Sequence, residues 1–183
     1  MKFITIDFET ANYNLDSACS LGMVIVDDNN ITKKEFLINP HQEFSPFNIS
    51  IHHITPLDVK DSPSFKEVWD LIKDEFNDVT VYAHNASFDI GVLKACMEKY
   101  KIEIPNITYG CTLQIARKIW KNELINHRLN TIASFLDVEL NHHNALSDAY
   151  VCVEIIKRGM KIMQVDNDRE LYNCLGLSYK RIK

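Results

Sequence analysis

Three strand-like runs precede the first helix-period segment, and that order restricts the chain to few architectures. Residues 2–7 (Lys-Phe-Ile-Thr-Ile-Asp) and 19–26 (Cys-Ser-Leu-Gly-Met-Val-Ile-Val) carry the β-branched and aromatic residues of strands. Asp27-Asp28-Asn29-Asn30 is a turn cluster and Ile31–Ile38 a third strand, so the second and third runs form a hairpin. Helical spacing begins at Ser64, where Phe65, Val68, Trp69, Ile72 and Phe76 recur on one face and Ser64 with Glu67 reads as a capping box. A strand at 79–83 then leads to a helix over 87–100, with Ile90, Leu93 and Met97 on one face. A short strand at 107–109 precedes helices at 111–120, 128–136 and 144–163. Residues 41–63 carry three prolines and little periodicity and read as a loop with room for one helical turn. A leading antiparallel hairpin followed by βαβ units predicts an α/β fold, a mixed sheet with helices packed on it. Residues 1–163 make up one domain. Residues 164–183 are more polar and read as a solvated extension, whose Lys180, Arg181 and Lys183 offer a possible contact to nucleic acid.

The charge balance narrows the partners. A net charge of −5 argues against a large electrostatic grip on duplex nucleic acid. A cluster of metal-binding carboxylates would contribute to the same sign. No stretch approaches the ~18 consecutive apolar residues of a membrane span, and the N-terminus shows no signal-peptide pattern, so a cytoplasmic protein is expected. The five cysteines are odd in number and form no C-x-x-C pair, which points to reduced thiols rather than disulfides or a zinc knuckle.

Chemistry first shows at Asp7-Phe8-Glu9. Residues two apart in a strand point the same way, so Asp7 and Glu9 converge at the end of the first strand; alone, such a pair is more often ordinary solvation of acids. In Val81-Tyr82-Ala83-His84-Asn85-Ala86-Ser87-Phe88-Asp89, a buried strand runs through a polar turn to an acid on the first turn of a helix, where it would also favour the helix dipole. In His143-Asn144-Ala145-Leu146-Ser147-Asp148, a histidine stands at the entry to the long helix and a carboxylate one turn in. His142 beside it reads as a bystander. Four carboxylates from separate elements would repel one another without counter-ions. Oxygen-only ligands suit Mg²⁺ or Mn²⁺, and two such ions are the arrangement that serves phosphodiester cleavage. A histidine beside them can take a proton from water at neutral pH. The residues therefore point to metal-assisted phosphoryl hydrolysis, without fixing polymer or direction.

These segments resemble the motifs of the DnaQ-like exonucleases of the DEDDh branch, the family of the epsilon-type proofreading nucleases of DNA polymerase III. Ile6-Asp7-Phe8-Glu9-Thr10 resembles the first motif, His84 to Gly91 the second, and His143-Asn144-Ala145-Leu146-Ser147-Asp148-Ala149 the third. Ile51-His52-His53-Ile54-Thr55 is similar to a further segment, with His53 where the family has glycine. Cys111 through His127-Arg128-Leu129-Asn130 is similar to another, with Cys111 and Asn130 in place of acids. The resemblance covers about residues 1–160. It implies an RNase H-like fold with a mixed five-stranded sheet. It implies two Mg²⁺ or Mn²⁺ ions on Asp7, Glu9, Asp89 and Asp148, His143 as general base, and release of nucleoside 5′-monophosphates from a 3′ end. Phe8, Thr10, His52, Asn85 and Phe88 are implied to line the pocket of the terminal nucleotide, with core packing the alternative for the two phenylalanines. Single-stranded DNA ends are the expected substrate, with a DNA polymerase as a possible partner. An RNA substrate and a non-catalytic nucleic-acid-binding module are the alternatives.

Overall fold

The structure, a computed structural model, describes residues 1–182. Lys183, one of the three terminal basic residues singled out above, falls outside the described residues. The central strand β1 (Lys2–Thr10) pairs antiparallel with β2 (Ala18–Asp27), which pairs antiparallel with β3 (Asn30–Leu37). On its other side β1 runs parallel to β4 (Thr80–Ala83), and β4 parallel to β5 (Thr108–Cys111). This is the expected mixed sheet of an RNase H-like α/β fold.

The sheet has six strands rather than the expected five, in the order β3-β2-β1-β4-β5-β6. The added β6 (Lys180–Arg181) comes from the terminal segment and pairs antiparallel with β5. The segment expected to be solvated is therefore packed. It forms α8 (Asp168–Cys174), in which Leu171 and Tyr172 are fully buried, and Ile182 joins the core. Tyr82 of β4 donates a 2.8 Å hydrogen bond to Asp168 Oδ2 and its hydroxyl lies 2.7 Å from that of Tyr179, while Tyr179 stacks on Tyr172. The apolar anchors at 171, 172, 179 and 182 follow neither a period of two nor one of 3.6, so no periodicity announces them.

Residues 41–63 hold more regular structure than the expected loop with one helical turn. They hold two short helices, α1 (Pro46–His52) and α2 (Pro56–Val59). Each has proline in its first turn, where the missing N–H costs nothing, and Thr55 with Asp58 closes a capping box on α2. The remaining helices fall close to their expected positions: α3 (Phe65–Ile72), α4 (Ser87–Lys99), α5 (Thr112–Ile119), α6 (Leu129–Phe135) and α7 (Ala145–Met163).

Strand alternation divides the interior in two. Ile4, Ile6 and Phe8 of β1 face α3 and α4, whereas Phe3 of β1 and Val24 and Val26 of β2 face α5 to α8. Thr5, Asp7 and Glu9 share the second face. There α7 crosses β1 and β2, and Thr5 Oγ1 donates a 2.7 Å hydrogen bond to the Ala149 carbonyl. Gly22 of β2, the register partner of Asp7, permits this crossing: a Cβ at position 22 would come within 2.1 Å of the Ala145 backbone. Neither backbone has a flexible end that could give way. Among the described residues no helix is long and apolar enough to cross a membrane.

Gly22→Ala is expected to destabilise the protein by about 1–3 kcal/mol, the usual scale of overpacking, because α7 must lift from the sheet. Urea unfolding monitored by circular dichroism measures this, and an unchanged midpoint would refute the contact.

Candidate active site

An open cleft of about 810 Å³ lies at the carboxyl ends of β1 and β4, where ligands enter open α/β sheets. Asp7 and Glu9 reach it from the same face of β1, and Asp148 from one turn inside α7. Carboxylate oxygens of these three lie within 4.8 Å of one another. Asp89, on the first turn of α4, shares the cleft but stands outside that group, and its Oδ1 accepts a 2.9 Å hydrogen bond from the Phe8 N–H. That bond ties the second motif to the first. Asp148 is positioned by its helix start, where the Asn144 side chain caps the Ser147 N–H.

The cluster is electrostatically costly. Asp89 and Asp148 are 2% and 4% exposed, and Asp7 and Glu9 are half-buried. Burial is the first cause of a raised carboxyl pKa at all four. It lifts Asp7 well above the usual range, together with the charges of Asp89, Asp148 and Glu9. Burial and the charges of Asp148 and Asp89 push Glu9 up to about 8. Asp89 rises to about 7, held back by its backbone hydrogen bonds. Asp148 rises by burial and is partly relieved by His142 and the His143 N–H.

Such a set is tolerated either protonated or neutralised by cations. Asp148 Oδ1 fits the second case: it is buried and has no hydrogen-bond partner among the described residues. The donors are all carboxylate oxygens, the ligand type that suits hard divalent ions.

His143 stands at the edge of the group, half-buried, with its N–H 3.3 Å from Asp148 Oδ2. Its imidazole pKa is lowered from the ordinary value by burial and then by the neighbouring His142, His52 and His53, which favours the neutral form. His142, read from sequence as a bystander, stacks on the His143 ring at 3.9 Å and places Nδ1 3.4 Å from Asp148 Oδ2.

The five residues expected around a terminal nucleotide are not all brought together. Phe8, Asn85 and Phe88 line the cleft. Phe88 is 41% exposed and offers a ring face, whereas Phe8 is 3% exposed and also packs toward Phe65 in the core. Thr10 and His52 are buried and do not line the cleft; His52 lines a neighbouring cavity with His142 and His143. The Thr10 carbonyl accepts from His52 Nε2 at 3.1 Å, and His52 Nδ1 accepts from the Ile54 N–H at 3.0 Å. A carbonyl only accepts and an N–H only donates, so His52 carries its proton on Nε2. With both ring nitrogens occupied, it is a brace.

His53, in the family's glycine slot, adopts the left-handed backbone (φ 62°) that glycine takes freely, so the turn survives the replacement. Asn85 (φ 61°) and His143 (φ 66°) do the same, which places three left-handed non-glycine residues around one site. Of the two other departures, Cys111 caps α5 without a side-chain bond, and Asn130 lines the cleft. Sequence reasoning missed Arg117, His84, His127 and Arg128 on the cleft wall. Arg117 carried no signal, since no spacing ties it to the acids. The His127-Arg128 pair was legible only as part of a family segment.

A family described as exonuclease matches residues 4–156. Among curated relatives, the chain is 34% identical over 163 residues to the PolC-type DNA polymerase III of Bacillus cereus, covering 85% of this chain and 11% of the polymerase. It is 35% identical over 186 residues to that of Oceanobacillus iheyensis, covering 95% and 13%. The chain thus spans little more than a tenth of these relatives' length. Two solved structures share the fold. One is exonuclease X in complex with 5′ overhanging duplex DNA (TM-score 0.73, 24% identity, 95% of this chain and 99% of that one). The other is the nuclease domain of 3′hExo, a DEDDh family member bound to rAMP (TM-score 0.68, 15% identity, 88% and 92%).

The raised carboxyl values make a stability prediction. The folded, metal-free protein holds protons that the unfolded chain releases near its ordinary carboxylate pKa of about 4. Stability without metal should therefore fall as pH rises from there through about 7 and 8, the values for Asp89 and Glu9. Thermal melts in EDTA should show this fall, Mn²⁺ should reverse it at pH 8, and Asp148→Asn should flatten it. A metal-free melting temperature independent of pH between 5 and 8 would contradict the electrostatics.

Proposed function

This chain belongs to the exonuclease family matched across residues 4–156, and on that premise we propose that it removes nucleoside 5′-monophosphates from the 3′ ends of single-stranded DNA. The observation that carries the reading is the meeting of Asp7, Glu9 and Asp148 oxygens within 4.8 Å, with His143 beside Asp148. A binding module would have no use for so costly a cluster with a base beside it.

Asp7, Glu9, Asp89 and Asp148 would hold two divalent ions, Mg²⁺ or Mn²⁺, and such ions when bound stabilise the charge on the attacking and leaving oxygens of a phosphodiester. His143 takes the proton from the attacking water on its free imidazole nitrogen. Its lowered pKa keeps that nitrogen available at neutral pH. Phe88 presents a face to the terminal base and Asn85 an amide to its sugar or phosphate. Arg117 and Arg128 on the cleft wall counter the phosphate charge.

The net charge of −5 argues against a long electrostatic footprint, which favours short or unpaired ends over long duplex. The likeness to DNA polymerases supports DNA over RNA, and 3′ ends left by a polymerase as the natural source.

A 5′-labelled single strand should be shortened stepwise from its 3′ end with Mg²⁺ or Mn²⁺, faster than its ribose counterpart, and stay intact in EDTA. Cleavage from the 5′ end, or undiminished cleavage in EDTA, would overturn the reading. Asp148→Ala should abolish turnover. His143→Ala should slow it about 10²–10⁴-fold, the usual share of general-base catalysis, with the fold retained by circular dichroism. In the wild type kcat/KM should rise with pH through a value below the ordinary histidine pKa of about 6.5 and level off by neutrality. Survival of that rise in His143→Ala would assign it to another group.

A further inference from the structure

Beside the catalytic cleft lies a second cavity of about 130 Å³. The two share Asn85, Leu113 and Arg117, so they adjoin along that wall. Its far wall comes from residues beyond the family match that ends at 156: Tyr172, Ser178 and Lys180.

The chemistry of this wall differs from the rest of the molecule. In a chain of net charge −5, no lining residue is acidic, while Arg117 and Lys180 bring two positive charges. Both are exposed, and neither takes part in a salt bridge among the described residues. Ser87, Gln114 and Ser178 add neutral donors. Two free cations with hydroxyl and amide donors and no competing carboxylate make a set suited to phosphate oxygens.

Lys180 is also held in place on both sides. It pairs with Tyr109 across β5 and β6, the next-but-one residue Ile182 donates to the Ile107 carbonyl at 3.1 Å, and the preceding Tyr179 stacks on Tyr172 at 4.4 Å. A lysine on so firmly docked a strand loses less freedom on binding than one on a loose tail.

We propose that this cavity is a phosphate subsite for the substrate strand upstream of the scissile bond, formed by Arg117 and Lys180, and that residues 164–182 serve to place Lys180 there. The proposal rests on the exonuclease reading above and deepens it. The terminal nucleotide occupies the cleft, and the backbone of the nucleotides behind it crosses Asn85 and Arg117 to reach Lys180. The strand is thereby gripped by a segment outside the family-matched residues.

Lys180→Glu tests this without touching the cleft. Two substrates separate the subsite from the chemistry: the p-nitrophenyl ester of thymidine 5′-monophosphate, which fills only the cleft, and an oligodeoxythymidylate of about 12 nucleotides, which reaches beyond it. The variant should raise KM for the oligonucleotide about 3- to 10-fold and reduce the steepness of its salt dependence by about 0.7, the loss of one single-strand phosphate contact. Hydrolysis of the ester should be unchanged. Lys180→Gln should move KM the same way by less. An unchanged oligonucleotide KM and salt slope, or an equal loss on the ester, would overturn the subsite. If the wild type cleaves neither substrate, the exonuclease reading fails. Fluorescence anisotropy of the labelled oligonucleotide then still decides the subsite: weaker binding to Lys180→Glu supports it, and equal binding removes it.

Discussion

Four carboxyl groups driven into one partly buried space are the constraint around which this molecule is arranged. The charges of Asp148, Asp89 and Glu9 raise the proton affinity of their neighbours, and burial raises all four. No hydrophobic gain compensates an arrangement of this kind, so it persists because the surrounding elements over-determine it. The Phe8 N–H holds Asp89, the Asn144 cap starts the helix that carries Asp148, and the Thr5 hydroxyl fastens that helix to the central strand. Divalent cations, which exonucleases of this family generally use, would convert the repulsion into ligation.

The scaffold contributes through a few close approaches. Gly22 lets the start of α7 rest on β2 opposite Asp7, so a missing side chain in one strand sets the distance between carboxylates from two elements. His52 braces the turn after α1 against Thr10 and so supports the end of β1 from behind. At the other end, the Tyr82, Asp168 and Tyr179 hydroxyl–carboxylate contacts lock the terminal segment onto β4 and β5. This carries Lys180 to the wall of the cavity beside the cleft. Stability and function share these contacts, and disturbing any one of them moves a ligand or a binding group.

Much of this was legible from residues alone. The hairpin and the βαβ order gave the mixed sheet because strand alternation and helix spacing are local properties. Asp7 and Glu9 were legible because strand geometry forces residues two apart onto one side. His143 and Asp148 were legible because a helix start presents both toward one space. What escaped depended on long-range contact. Lys180 was singled out for its charge, but its docking and that of Tyr179 escaped because their partners, Tyr109 and Tyr82, lie 71 and 97 residues away in sequence. Arg117 carries no spacing signal, since the chain folds it toward the acids only through α5. The two prolines at 46 and 56 suggested a loop, whereas in the fold each starts a helix. Thr10 and His52, placed by resemblance against the nucleotide, turn out to bond each other, a detail no motif encodes.

The most direct test of the central claim is calorimetric titration of Mn²⁺ into the metal-free protein near pH 7, with thymidine 5′-monophosphate present and in two buffers of different ionisation enthalpy. Carboxyl groups that hold protons in the metal-free fold must release them when cations bind. The account predicts binding with a stoichiometry of two and a buffer-dependent heat reporting proton release, both lost in Asp7→Ala. Binding without proton release, or the same isotherm in Asp7→Ala, would contradict the view that these carboxylates are the metal centre.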